Sequence, residues 1–136
     1  VGLVAPRIRK DLNIPVAVQD SAKRNLTAAL SVLDSGWLKQ SQYLAGDQVT
    51  LADLAAYVEI GQLQPQFTNV FDLSPFANVQ RWLEDMTRVD GHDDVHIVLA
   101  ELGDISEQAP SMDTIRNANR RALQVLKARQ AELQGN

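Results

Sequence analysis

Chemistry in this chain has to come from a small set of side chains. His92 and His96 are its only histidines, four residues apart with Asp93 between them. That spacing puts two imidazoles on one helix face, as in zinc sites of the H-E-x-x-H kind, where the Glu acts as base. Three features oppose a metal here. Asp93 is a methylene shorter than Glu, Gly91 puts His92 at a helix end, and no third ligand stands at a recognisable offset. The pair therefore reads as a polar helix start, and no metal ligand is assigned. Thr50 and Asp53 set a hydroxyl beside a carboxylate, but their spacing is that of a helix capping box, which accounts for the pair without chemistry. Arg116, Arg120, Arg121, Lys127 and Arg129 crowd one segment with no acid between Thr114 and Ala131. Such a run can meet an anionic ligand or RNA, yet it reads first as a solvated helix face with cations toward its C-terminus. The chain has no cysteine, which removes thiolate metal sites, disulfides and a cysteine nucleophile. It also lacks a P-loop, a dinucleotide fingerprint and a nucleophile elbow. No catalytic residue is assigned.

The elements that position these residues follow from composition and punctuation. The 136 residues are 45% hydrophobic and 22% charged, the balance of an ordinary globular domain long enough to bury a core. Aromatics make up only 5%, so Leu, Val, Ile and Ala must fill the core, and Ala and Leu favour helix. A net charge of −4 argues against nucleic acid as a partner. No apolar run approaches the roughly 20 residues that cross a bilayer, and the first ten residues carry no signal-peptide pattern. No membrane is expected, and the cytoplasm is the default location. Because the chain opens on Val1 in apparent mid-helix, a segment is expected to be missing before it.

About six helical segments are expected. The first covers 1–13, with Val1, Val4, Ile8 and Leu12 at helical spacing; Pro6 either kinks it or sits in its first turn. The second runs from Val16 to Lys39 on a stripe of Leu26, Ala29, Leu30, Leu33 and Trp37, with Ser35-Gly36 fraying its end. After a loop over 40–49, Thr50 at N-cap and Asp53 at N3 start the third, with Val49 and Leu54 placed as a hydrophobic staple. Leu51, Leu54, Ala55 and Val58 are expected to form its buried face until Gly61. Ser74-Pro75 reads as a hydroxyl cap before a first-turn proline. That opens a helix that buries Phe76, Val79, Trp82, Leu83 and Met86 and leaves Arg81, Glu84, Asp85 and Arg88 outside. A helix over 93–102 turns Val95, Val98, Leu99 and Leu102 inward. Ser111 then opens the last, to about Leu133, on Ile115, Ala118, Ala122, Val125 and Leu126. Trp37 and Trp82 are expected as core anchors. No segment alternates with a period of two, so the fold class is all-α.

The run Tyr43-Leu44-Ala45-Gly46-Asp47-Gln48-Val49-Thr50-Leu51-Ala52-Asp53-Leu54 resembles the YLAGD-x-x-TLADL signature of the glutathione transferase C-terminal domain. Phe76-Ala77-Asn78-Val79-Gln80-Arg81-Trp82-Leu83 is similar to a second family segment, with Ala77 where a proline is usual. The histidine segment and the basic last helix look most like theta-class sequences. The resemblance implies one helical domain over 1–136, the electrophile-site half of a theta-like glutathione S-transferase. Glutathione is then a co-substrate held by a separate thioredoxin-like N-terminal domain, absent here, so this chain alone does not conjugate. It implies a small hydrophobic electrophile as ligand, a homodimer as assembly, and Arg7, Ile8, Leu12, Asn119, Arg120 and Leu123 as pocket-lining positions. The alternative is a non-catalytic protein-interaction module of the same fold.

Overall fold

The computed structural model describes residues 2–135, leaving Val1 and Asn136 outside it. Among the described residues there are helices and turns and no strand; Tyr43 and Gly46 form an isolated bridge. Seven α-helices follow in order: α1 (Ala5–Ile8), α2 (Val16–Val32), α3 (Leu38–Gln40), α4 (Leu51–Ile60), α5 (Ala77–Met86), α6 (His92–Leu102) and α7 (Met112–Gln134). A π turn, Leu33–Trp37, joins α2 to α3 without a break, so six helical segments result.

The first segment is shorter than its apolar spacing suggests. Pro6 sits in the first turn of α1, where a missing N–H costs nothing. Helix ends at Arg9, and a 3-10 turn, Lys10–Leu12, closes on Asn13 in the left-handed region at φ 43°. In the second segment Ser35-Gly36 does not fray the helix. It widens into the π turn, which inserts one extra residue per turn and carries the rod on to Gln40.

Two caps organise the centre. Both halves of the Thr50–Asp53 capping box are present at the start of α4. The start of α5 differs from the expected Ser74-Pro75 signal: the helix begins at Ala77, and its cap comes from Asp34 in the π turn. One Asp34 carboxylate oxygen accepts the Asn78 N–H at 2.7 Å and the Val79 N–H at 3.0 Å, as a local N-cap side chain would. Arg81, expected outside, instead closes the other end of the rod by donating to the carbonyls of Leu38, Ser41 and Gln42 at 2.9–3.0 Å. A cation belongs there, where the helix leaves carbonyls unpaired. Asp85 is likewise buried rather than outside, held between Arg81 and Arg88.

The core gathers Leu30, Leu38, Tyr57, Ile60, Leu63, Phe71 and Leu73 around the α5 stripe of Phe76, Val79, Trp82, Leu83 and Met86. Trp82 is fully buried, as expected, but Trp37 is 58% exposed and anchors nothing. A second, smaller unit is the hairpin of α6 and α7. Ala118 and Ala122 are buried in it, Val95 faces solvent against expectation, and Arg121 pairs with Glu101 across it. The link between the two helices is tied to the body by the Ile105 N–H on the Thr68 carbonyl at 3.2 Å and by Asn69 on Asp104 at 2.8 Å.

Candidate functional site

Helix α4 lies the other way round from the expectation. Its buried side is Asp53, Tyr57 and Ile60. Leu51, Leu54 and Val58, expected inside, are 80%, 45% and 61% exposed, and Ala55 is exposed beside them. The reason lies in the polar groups. Asp53 is completely buried and takes four hydrogen bonds: Leu44 N–H at 2.8 Å and the Trp82 indole N–H at 3.0 Å on one oxygen, Thr50 N–H at 2.9 Å and Thr50 hydroxyl at 2.7 Å on the other. Burial pushes its pKa up, but these donors outweigh it and hold the carboxyl below the ordinary value of 3.8. A carboxylate so anchored fixes the rotation of the helix. Tyr57, one turn on, follows it inward, and the apolar stripe is left on the opposite side. The expected staple does not close: Val49 packs on the core while Leu54 stays half in solvent.

The histidines sit where Tyr57 enters. The Tyr57 hydroxyl lies 2.8 Å from His92 Nε2, and His92 Nδ1 is 2.8 Å from the Asp93 carboxylate. His96 Nδ1 meets the His92 carbonyl at 2.7 Å, and the two rings stack with centroids 4.3 Å apart. Phe67 stacks on His96 at 5.8 Å, and Tyr57 presents its ring at steep angles to both imidazoles. Both His92 nitrogens are thus engaged with protein groups, and among the described residues no cluster of three metal-ligating side chains forms.

A cleft of 910 Å³ is open and mixed in character. Arg7, Asp20 and Lys23 line one side, and Gln64, Gln66 and Asn69 another. Of the expected pocket residues, Arg7 lines this cleft. Ile8 is half-buried outside it, and Leu12 is 51% exposed on the 3-10 turn. Asn119, Arg120 and Leu123 lie exposed on α7, away from the cleft lining. Asn119 donates to the Ile115 carbonyl and Arg120 to Asn117, both within α7. Of the six positions, Arg7 is the one that lines this cleft. The basic run of α7 is also largely engaged: Arg116 pairs with Asp113, Arg121 with Glu101, and Arg129 with Asp90, Asp94 and Glu132. Sequence reasoning missed Asp34, Gln64 and Lys23, since polar residues on loops and solvent faces carry no periodic signal.

These features define a class: an all-helical domain whose central helix is locked by a buried carboxylate on one side and left apolar on the other. The family model for the glutathione S-transferase C-terminal domain matches residues 4–90, and the chain belongs to that family. The matched span covers α1 to α5, and α6 and α7 lie beyond it. No solved structure matches the chain. Among the described residues no helix is long and apolar enough to cross a membrane.

Proposed function

We propose that this chain is the helical, electrophile-site half of a theta-like glutathione S-transferase and works against a thioredoxin-like domain that binds and activates glutathione. The observation that carries the reading is the second face of α4. Helix α4 buries Asp53 and Tyr57 on one side and shows Leu51, Leu54, Ala55 and Val58 on the other, an apolar face that the described residues leave largely open. Helices apolar on both sides are built to be covered. Burying the Leu51, Leu54 and Val58 side chains is worth about 1.5–3 kcal/mol each, less the costs of association. The family membership supports a thioredoxin-like domain as the cover.

In this reading the chain supplies apolar surface beside the sulfur, which concentrates and orients a small hydrophobic electrophile. Arg7, Ile8 and Leu12 from the first segment and Asn119, Arg120 and Leu123 from α7 are the proposed lining. Exposed Leu12 and Leu123 offer the apolar contact. Arg7, without an acidic partner among the described residues, offers a charge for an anionic group. Assembly as a homodimer and a place in the cytoplasm belong to the same proposal. The exposed α4 stripe would equally serve a non-catalytic docking module, so activity must discriminate.

The test is a fusion that places the glutathione-binding domain of a theta-class transferase ahead of this chain, assayed for thioether formation with an aryl halide. Conjugation by the fusion, none by either half, and an altered electrophile preference in Leu123→Ala support the reading. An inactive fusion that still binds glutathione counts against it and favours the docking module.

A further inference from the structure

We propose that the stacked His92–His96 pair is an acid-sensitive latch, which holds the α6–α7 hairpin on the body of the domain near neutral pH and loosens it as the pH falls. The inference is independent of the enzymatic reading above.

Proton positions follow from the partners. The Asp93 carboxylate only accepts, so His92 Nδ1 carries the ring proton, and Nε2 is left bare to accept from the Tyr57 hydroxyl. Tyr57 in turn accepts from the Gln64 amide at 3.3 Å. His96 donates from Nδ1 to the His92 carbonyl. Each ring then holds one proton, and the four groups Asp93, His92, Tyr57 and Gln64 form a satisfied chain. A second proton on His96 would place a cation between the His92 ring, 4.3 Å away, and the Phe67 face. The Phe67 face returns part of that cost as a cation–π contact. Two imidazolium rings at this separation repel, and partial burial removes the water that would screen them.

The charges around the pair do not cancel this. Among the described residues, Tyr57 of α4 and Phe67 of the turn after it meet the rings, and Gln64 meets the Tyr57 hydroxyl. On α6 itself Asp93 favours protonation, but its side chain is 98% exposed and screened by solvent. On α7, packed along α6, Arg129 is directed to Asp90 and Asp94 and Arg121 to Glu101. Burial, with the neighbouring His92, holds the His96 pKa below the ordinary 6.5. The released hairpin protonates first, so attachment is full well above 6.5 and weakens as pH falls from there through the lower, folded value. The hairpin is also tied at its far link by Ile105 and Asp104, and at the turn before α6 by Arg129 on Asp90.

Hydrogen exchange read by mass spectrometry, corrected for intrinsic rates, tests the latch at about pH 7.5 and about pH 5.5, above the range where carboxylates titrate. Protection of α6 and α7 should fall severalfold, with about tenfold as the ceiling for one imidazole at that pH, while α5 changes by less than about twofold, and His96→Phe should flatten the difference. His96→Gln serves as the second variant, since it removes the titration without adding apolar surface. An NMR titration of His96 in the parent chain needs no variant: a midpoint below the ordinary value supports the latch. Unchanged protection in the parent, an equal loss in both variants, or a His96 midpoint at or above the ordinary value overturns it.

Discussion

Replacing Asp53 by alanine removes one buried carboxylate and strands several donors at once. The Trp82 indole N–H suffers most, because Trp82 has no exposed surface and cannot turn to bulk solvent for another acceptor. An unsatisfied buried donor costs about 1–3 kcal/mol, and loss of the α4 cap adds about 1 kcal/mol. The half-buried Leu44 and Thr50 amides can turn to solvent and add less. Relief of the carboxylate's own desolvation offsets part of the sum. The expected loss is about 2–4 kcal/mol, a large share of the roughly 5–15 kcal/mol that holds a domain of this size. Urea unfolding followed by circular dichroism measures it, and thermal unfolding should shift down by about 10 °C. A cycle with Trp82→Phe isolates the indole contribution, which should appear as a coupling of about 1–2 kcal/mol. A loss below about 1 kcal/mol, or strict additivity with Trp82→Phe, would mean that Asp53 does not set the rotation of α4.

Other outcomes follow from the same contacts. Thr50→Ala combined with Asp53→Ala should unfold at lower temperature than the parent, and equal melting points would sink the capping assignment. Asp34→Ala should destabilise by about 1–2 kcal/mol through loss of the α5 cap, with helix loss in exchange experiments beginning at Ala77 to Val79. Because the Asp53 carboxyl is held below 3.8 in the folded chain, its contribution is complete above that pH. It is lost as the pH falls from there through the folded value, so the parent should show a steeper acid loss of stability than Asp53→Asn. Leu51→Ser with Val58→Ser, both at exposed positions, should leave the free chain within about 1 kcal/mol of the parent by urea unfolding.

What could be read in the residues was whatever the chain states locally. Thr50 and Asp53 are three apart, so the capping box is visible to anyone counting positions, and the six helical segments follow from Gly, Pro and apolar spacing. The α5 cap could not be read, because Asp34 lies 44 positions from the amide it serves and nothing local marks the pairing. The orientation of α4 was misleading for a physical reason. Periodicity assigns Leu51, Leu54 and Val58 to the inside, but a carboxylate with four donors and a tyrosine bonded to His92 outweigh that preference. Trp82 and Trp37 look alike on their stripes. Only the first meets a partner for its indole N–H, and the π turn carries the second into solvent. For the site, Arg7 reaches the large cleft, whereas Asn119, Arg120 and Leu123 lie on a hairpin whose placement depends on long-range contacts.

The proposed thioredoxin-like domain would seat on the exposed face of α4, on Leu51, Leu54 and Val58. Isothermal titration of this chain with the separately produced glutathione-binding domain of a theta-class transferase tests it most directly. Saturable binding with a negative heat-capacity change, lost in the Leu51→Ser/Val58→Ser variant and kept in Trp37→Ala, is the expected result. Binding that the double serine variant leaves at full strength would contradict the claim.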